Sequence, residues 1–125
     1  MQMIVIGCGR MGSGLAQMLN LRGHKVTVVD RNAAAFENLG PAFAGDTVVG
    51  IGFDRDVLQA AGIHRADGLA SVTNSDETNI VAARVARETF GVANVVARIY
   101  DPRRAEVYQR LGIPTVASVS RATDQ

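Results

Sequence analysis

Six short apolar runs recur along the chain, and a longer amphipathic or polar segment separates each run from the next. The runs are residues 3–6, 26–29, 47–49, 68–72, 95–99 and 115–119. They lack polar alternation, which is typical of strands that helices cover on both faces of a parallel sheet. The pattern predicts one α/β domain with a Rossmann-like, doubly wound parallel sheet of six strands.

Helix signals mark the intervening segments. Apolar residues recur at spacings of three and four in residues 12–21. In the fourth segment Asn74 is a predicted N-cap, and Glu77 completes a capping box. The fifth segment offers Asp101 as an N-cap with Pro102 at the first helical position. Right-handed crossovers then predict the strand order 3-2-1-4-5-6, with a crevice outside the C-terminal ends of strands one and four.

A glycine-rich turn joins the first run to the first helix. Residues 7–12 fit G-x-G-x-x-G, with Gly7 for the tight turn, Gly9 for phosphate approach and Gly12 for close helix packing. Phosphates would meet the N–H groups at the positive end of the helix. The alternative interpretation is a turn that serves the fold alone.

Asp30 ends the second predicted strand, at the spacing of about 20 residues that is typical of dinucleotide sites. A carboxylate there accepts hydrogen bonds from ribose hydroxyls and repels a 2′-phosphate, which favours NAD or an adenine mononucleotide over NADP. Arg31 could restore 2′-phosphate binding, but Asp30 would remain beside it. Without a ligand role, Asp30 would cap the next helix.

Three further side chains allow two interpretations each. Arg10 either reaches phosphate oxygens bidentately or lies solvated on the surface. Cys8 stands beside a helix start, which could lower its thiol pKa, but no histidine is near in sequence, so we expect a small packing residue. Arg98 lies near the end of a central strand, where it needs either a carboxylate or a phosphate beside it.

Composition excludes several classes of protein. The 125 residues are 47% hydrophobic, enough for the core of one domain. Thirteen basic against 12 acidic side chains argue against nucleic-acid binding and a polybasic membrane anchor. The single cysteine forms no intramolecular disulfide, and no apolar run approaches the roughly 20 residues that span a bilayer. We therefore expect a cytoplasmic domain without direct membrane insertion.

Several blocks resemble the N-terminal nucleotide-binding domain of RCK (KTN) proteins, of the TrkA-N type. They are residues 4–12, 23–26, 28–30, 58–67, 73–79, 98–102 and 111–113, and the likeness spans residues 2–118. These proteins are cytosolic regulatory domains and subunits of potassium channels and transporters. The resemblance implies a non-enzymatic regulatory domain that binds NAD(H) or ATP, ADP or AMP.

Carried over by position, the resemblance implies a nucleotide across the crevice, with Thr73 and Asn74 lining its second half. Arg10 and Arg98 would contact the distal phosphate or the second nucleotide half. The implied cofactor-binding residues are Gly7, Cys8, Gly9, Arg10, Met11, Gly12, Asp30, Arg31, Gly50, Ile51, Thr73, Asn74 and Arg98. No catalytic or metal-binding residue is implied.

One departure concerns the end of the third strand. Family members often carry Gly-Asp there, with the acid near the adenine amino group, whereas this chain has Gly50-Ile51. Adenine would lose that acceptor and could pack against Ile51. We also expect the family's C-terminal domain to be absent from residues 1–125, so that the chain is either an excised fragment or a minimal subunit.

The resemblance also implies partners. Family members form homodimers and often larger rings, and exposed apolar residues of the fourth and fifth helices, with Tyr100 and Tyr108, would serve that pairing. A membrane-embedded potassium channel or transporter subunit would hold the domain at the inner face of the membrane.

Two other functions stay open on the residues. The opening glycine turn also looks like that of 6-phosphogluconate and hydroxyisobutyrate dehydrogenases, which would make the chain an NAD-dependent oxidoreductase. Those enzymes use a lysine from a later segment, but the only lysine here is Lys25, at the start of strand two. The third possibility is an assembly module with a vestigial nucleotide site.

Overall fold

All six apolar runs form strands of one parallel sheet. The computed structural model describes residues 1–117, so residues 118–119 of the last predicted strand lie outside the described part. The strands are β1 (Gln2–Ile6), β2 (Lys25–Asp30), β3 (Asp46–Val49), β4 (Gly68–Ser71), β5 (Asn94–Ile99) and β6 (Thr115–Ala117). Their order is β3-β2-β1-β4-β5-β6, which confirms the predicted doubly wound topology.

Each connection between strands contains helical structure. The α-helices are α1 (Arg10–Leu21), α2 (Arg55–Ala60), α3 (Asp76–Arg84) and α4 (Pro102–Arg110). The connection from β2 to β3 is a 3₁₀ helix (Ala33–Leu39), a short 3₁₀ turn (Ile63–Arg65) follows α2, and a π-helical segment (Val85–Thr89) continues α3. The five predicted helical connections are therefore present, although the second is not an α-helix.

The core has two parts because successive strand residues point to opposite faces of the sheet. In β1, Ile4 and Ile6 pack in the larger apolar cluster with Leu58 of α2, whereas Val5 packs in the smaller cluster with Ala16 of α1. Each fully buried isoleucine or leucine contributes about 1.5–3 kcal/mol. Burial on both faces explains why the strand sequences show no polar alternation.

The start of α3 differs from the prediction. The N-cap is Ser75, whose Oγ accepts a hydrogen bond from the Thr78 N–H at 3.2 Å. The predicted capping box of Asn74 and Glu77 is therefore wrong by one residue. Asn74 lies in the loop between β4 and α3 and is exposed.

The start of α4 confirms the prediction. Asp101 is the N-cap, its Oδ1 accepts from the Arg103 N–H at 2.9 Å, and Pro102 occupies the first helical turn. Of the two tyrosines expected at a pairing surface, Tyr100 is partly exposed, whereas Tyr108 packs against the larger core cluster. The second tyrosine therefore has a packing role in this domain.

Candidate functional site

A cavity of about 1170 Å³ opens at the C-terminal edge of the sheet. It lies where the strand order reverses between β1 and β4, the position at which open α/β sheets bind ligands. The predicted residues that line it are Gly7, Gly9, Arg10, Met11, Asp30, Arg31, Gly50, Ile51, Thr73, Asn74 and Arg98. Of the predicted set, only Cys8 and Gly12 lie away from its lining.

The glycines of the turn have different surroundings. Gly7 has φ +104°, a conformation that favours glycine, and a Cβ on Gly12 would lie 1.7 Å from the Gly7 carbonyl oxygen. The backbone of α1 at Gly12 therefore packs directly against the backbone of the turn at Gly7. By contrast, a Cβ on Gly9 would meet nothing within 4 Å. Gly9 is the N-cap of α1 and lines the cavity with Arg10 and Met11, so the start of that helix, whose first N–H groups have no intrahelical acceptor, borders the cavity.

Cys8 holds the turn in place through its backbone. Its N–H donates to Asp30 Oδ2 at 2.8 Å, and its carbonyl accepts from Asn38 Nδ2 at 3.0 Å. The side chain is fully buried in the smaller core cluster. Burial, and secondly the Asp30 carboxylate, raise the pKa of the Cys8 thiol to about 11. The helix start therefore does not lower the thiol pKa, and the predicted packing role is confirmed.

Asp30 is half-buried at the end of β2. Besides the contact with Cys8, its Oδ1 accepts from the Asn32 N–H at 2.8 Å. The following 3₁₀ helix is capped by Asn32, whose side chain accepts from the Ala34 N–H at 3.1 Å, so Asp30 is not that cap. Each carboxylate oxygen has a second lone pair, and Asp30 can therefore accept further hydrogen bonds from a molecule in the cavity.

The end of β3 gives the cavity an apolar wall. Ile51 is 43% exposed and Phe53 is 39% exposed, and both line the cavity. Leu15 and Met18 of α1 line it as well. A flat apolar group could pack against Ile51 and Phe53 without accepting or donating a hydrogen bond to either side chain. This agrees with the expectation that an adenine could pack on Ile51.

The ends of β4 and β5 form the opposite side of the cavity. Thr73 and Asn74 follow β4, and Arg98 lies in β5. The guanidinium carbon of Arg98 is 4.2 Å from the centroid of the Tyr100 ring, a cation–π contact. Tyr100 also lines the cavity, so a cationic group in contact with an aromatic ring borders the space beyond the glycine turn.

The charges around the cavity favour an anion. The arginines are Arg10, Arg31 and Arg98, and Asp30 is the one acidic residue among the described lining residues. Positive charge concentrated in a cleft raises the local concentration of anionic ligands. Among residues 1–117, no group of three His, Cys, Asp or Glu side chains could hold a metal ion.

Sequence reasoning missed several residues of the site. Phe53, Tyr100, Asn32 and Thr78 line the cavity, and Asn79 lies behind it. Asn32 and Tyr100 each follow the end of a predicted strand within two residues, which is the signal that could have found them. Phe53 and Thr78 become cavity residues only through contacts between distant segments.

Comparison with known proteins identifies relatives of this chain. The sequence profile of the TrkA-N domain family matches residues 3–119. The Trk system potassium uptake protein TrkA of Streptomyces coelicolor is 60% identical over 125 residues, which is 100% of this chain and 56% of that protein. The chain thus spans about half the length of this relative.

Solved structures share the fold. Shewanella denitrificans Kef CTD in its AMP-bound form superposes with a TM-score of 0.85 at 22% identity, covering 98% of this chain and 75% of that one. GsuK bound to ADP superposes with a TM-score of 0.76 at 26% identity, covering 93% of this chain and 30% of that one. No helix among the described residues has both the length and the apolar character that crossing a membrane requires.

Proposed function

Because the chain belongs to the TrkA-N domain family, we propose that it is a regulatory domain of a potassium uptake system and binds an adenine nucleotide or dinucleotide. The family match supports the potassium role. The observation that carries the binding role is the cavity, which brings the open face of Gly9, the Asp30 carboxylate and Thr73 around one space. AMP in Kef and ADP in GsuK support an adenine nucleotide.

Each part of the nucleotide has a matching surface. Phosphates lie over Gly9 at the start of α1, where unpaired N–H groups and the helix dipole attract anions. The ribose hydroxyls donate to Asp30, and the base packs on Ile51 and Phe53. A dinucleotide such as NAD continues past the phosphates toward Thr73, Asn74 and Arg98, whereas AMP, ADP or ATP leaves part of that side empty.

A regulatory role requires a ligand that binds two arrangements of the domain with different affinities. It requires no chemical reaction on the protein. A ligand that binds one arrangement of the domain more tightly shifts the population of an attached transporter subunit. The oxidoreductase alternative is not favoured: Lys25 begins β2, at the opposite edge of the sheet from the cavity. The described cavity lining contains no histidine, lysine, cysteine or glutamate to act on a substrate.

The partner and location follow from the same family role. We place the domain on the cytoplasmic side, held at the inner face of the membrane by an embedded potassium transporter subunit. The exposed apolar side chains of the last helices would pair two copies into a homodimer or a larger ring. Val107 is 50% exposed and Leu111 is 67% exposed.

Isothermal titration calorimetry with AMP, ADP, ATP, NAD and NADH tests the binding role through Gly9→Val. A valine at position 9 projects into open space over the helix start, so it should block phosphate approach without disturbing the fold. We expect Kd for the parent's ligand to rise at least about 100-fold, equivalent to ~2.7 kcal/mol. Gly9→Ala should give an intermediate loss.

The control is the unfolding temperature, which should change little in both variants. If Gly9→Val binds as tightly as the parent, the nucleotide lies elsewhere. If the parent binds none of the five nucleotides, the binding role is refuted and the alternative of an assembly module with a vestigial site is favoured.

A further inference from the structure

Asn79 is a fully buried polar side chain behind the cavity. It lies on the first turn of α3 with 0% exposure, against the ends of β4 and β5. A buried amide is costly unless its donors and acceptor are all satisfied, so its partners show what it holds in place.

The Asn79 side chain makes five hydrogen bonds. Its Oδ1 accepts from the Thr73 N–H at 2.8 Å, from Thr73 Oγ1 at 2.7 Å and from Ser71 Oγ at 3.3 Å. Its Nδ2 donates to the Thr73 carbonyl at 2.9 Å and to the Arg98 carbonyl at 2.7 Å. The partners determine the orientation of the amide, because the flipped form would set its oxygen against two carbonyl oxygens.

These contacts tie together two strand ends that border the same half of the cavity. Thr73 follows β4 and Arg98 lies in β5, and both line the cavity. The neighbouring Asp76 strengthens the connection: its carboxylate accepts from the Tyr100 N–H at 2.6 Å and from the Asp101 N–H at 3.0 Å. The start of α3 therefore sets the position of the β5 end.

The other half of the cavity has hydrogen bonds of its own, although the glycine turn also packs on Thr73: a Cβ on Gly7 would lie 3.0 Å from the Thr73 nitrogen. The turn at Gly9 and the carboxylate of Asp30 are held by Cys8 and by the Asn38 amide, on the side of β1 and β2. Because none of these hydrogen bonds involves Asn79, we expect a change at Asn79 to affect the proposed phosphate and ribose contacts less than it affects Thr73 and the end of β5.

We propose that Asn79 is a positioning residue for the part of a dinucleotide that lies beyond the phosphates. The proposal rests on the nucleotide-binding function proposed above. Asn79 sets the Thr73 backbone and hydroxyl, and the β5 end that carries Arg98, at the spacing that a second nucleotide half needs. AMP, which ends at the first phosphate, does not reach that region.

Asn79→Asp tests the proposal because it is nearly isosteric. It keeps an oxygen for the Thr73 N–H but replaces the two N–H donors with an oxygen that faces two carbonyls. We expect its Kd for NADH to rise about tenfold or more, and its Kd for AMP to stay within about threefold of the parent value. Calorimetry on the 125-residue chain measures both.

Ser71→Ala is the matched control. It removes one bond to Asn79 in the same buried region and should leave both dissociation constants within about threefold. Equal losses of AMP and NADH affinity in Asn79→Asp, or no loss of either, would overturn the positioning role. A parent that binds AMP but not NADH would overturn it as well. A parent that binds neither ligand would instead refute the proposed function.

A second measurement covers the case in which Asn79→Asp does not fold. In the parent, the side-chain N–H resonances of Asn79 should shift in ¹⁵N NMR spectra when NADH is added and stay in place with AMP. The same response to both ligands, or no response to NADH, would contradict the proposal.

Discussion

At the scale of single residues, Asp30 combines a structural and a proposed binding role in one carboxylate. Its two oxygens accept from the backbone N–H groups of Cys8 and Asn32, both at 2.8 Å. The contact with Cys8 joins the end of β2 to the glycine turn, so the group proposed to bind ribose also holds the turn proposed to bind phosphate. Any substitution at Asp30 therefore acts on both parts of the site.

Asp30→Ala should weaken both binding and folding. Loss of the ribose hydrogen bonds should lower the affinity for AMP or NADH by about 1–3 kcal/mol. Loss of the acceptor for the Cys8 N–H should also lower the free energy of unfolding, which urea denaturation measures. Asp46→Ala is the control, because it removes the same charge from an exposed position. Asp46 begins β3, so it lies at the N-terminal ends of the strands, away from the cavity. If Asp30→Ala binds like the parent, ribose recognition belongs to another residue.

At the scale of elements, the strands were predictable and the exact start of α3 was not. An apolar run identifies a strand even where the strand begins or ends a residue away from the run, so all six strands lie where the pattern indicates. The loop from Thr73 to Asp76 contains four residue types that favour helix starts, and propensity alone does not separate them. The choice depends on Asp76, which turns toward Tyr100 and Asp101 from another part of the chain.

The capping assignment has a direct test in the stability of the unliganded chain. Ser75→Ala removes the acceptor of the Thr78 N–H and should lower the free energy of unfolding by about 1 kcal/mol. Asn74→Ala removes no capping bond and should cost markedly less. Urea denaturation of the two variants provides the comparison, and equal losses would show that the cap is shared.

The candidate site shows the same division between local and distant information. The glycine turn and Asp30 have local signatures, so sequence could identify the residues for phosphate and ribose. Asn79 looks like any polar residue of a helix, and only the topology brings it against the ends of β4 and β5. Phe53 likewise becomes part of the cavity wall only through the sheet order. Contacts between distant segments account for what the sequence could not indicate.

At the scale of the whole molecule, exposed apolar side chains are spread over several elements, and some of them lie on the last helices. Val107 and Leu111 are four residues apart on α4 and its end, so they share one side of the helix, and Val81 of α3 is 40% exposed. Exposed apolar side chains that neighbour one another on a helix, as Val107 and Leu111 do, are typical of protein interfaces. This surface is the one proposed to pair two copies of the domain.

Leu111→Glu should weaken that pairing, because a charge in a desolvated interface leaves an unpaired buried group. We expect the dimer dissociation constant to rise at least about tenfold, equivalent to ~1.4 kcal/mol, as measured by analytical ultracentrifugation. Leu21→Glu is the matched control: Leu21 is 82% exposed at the end of α1, away from α4. A parent that stays monomeric, or equal dimerisation by both variants, would remove this surface from the interface.

Tyr100 begins the loop into α4 and also lines the cavity. The dimer and the monomer should therefore bind the nucleotide with different affinities.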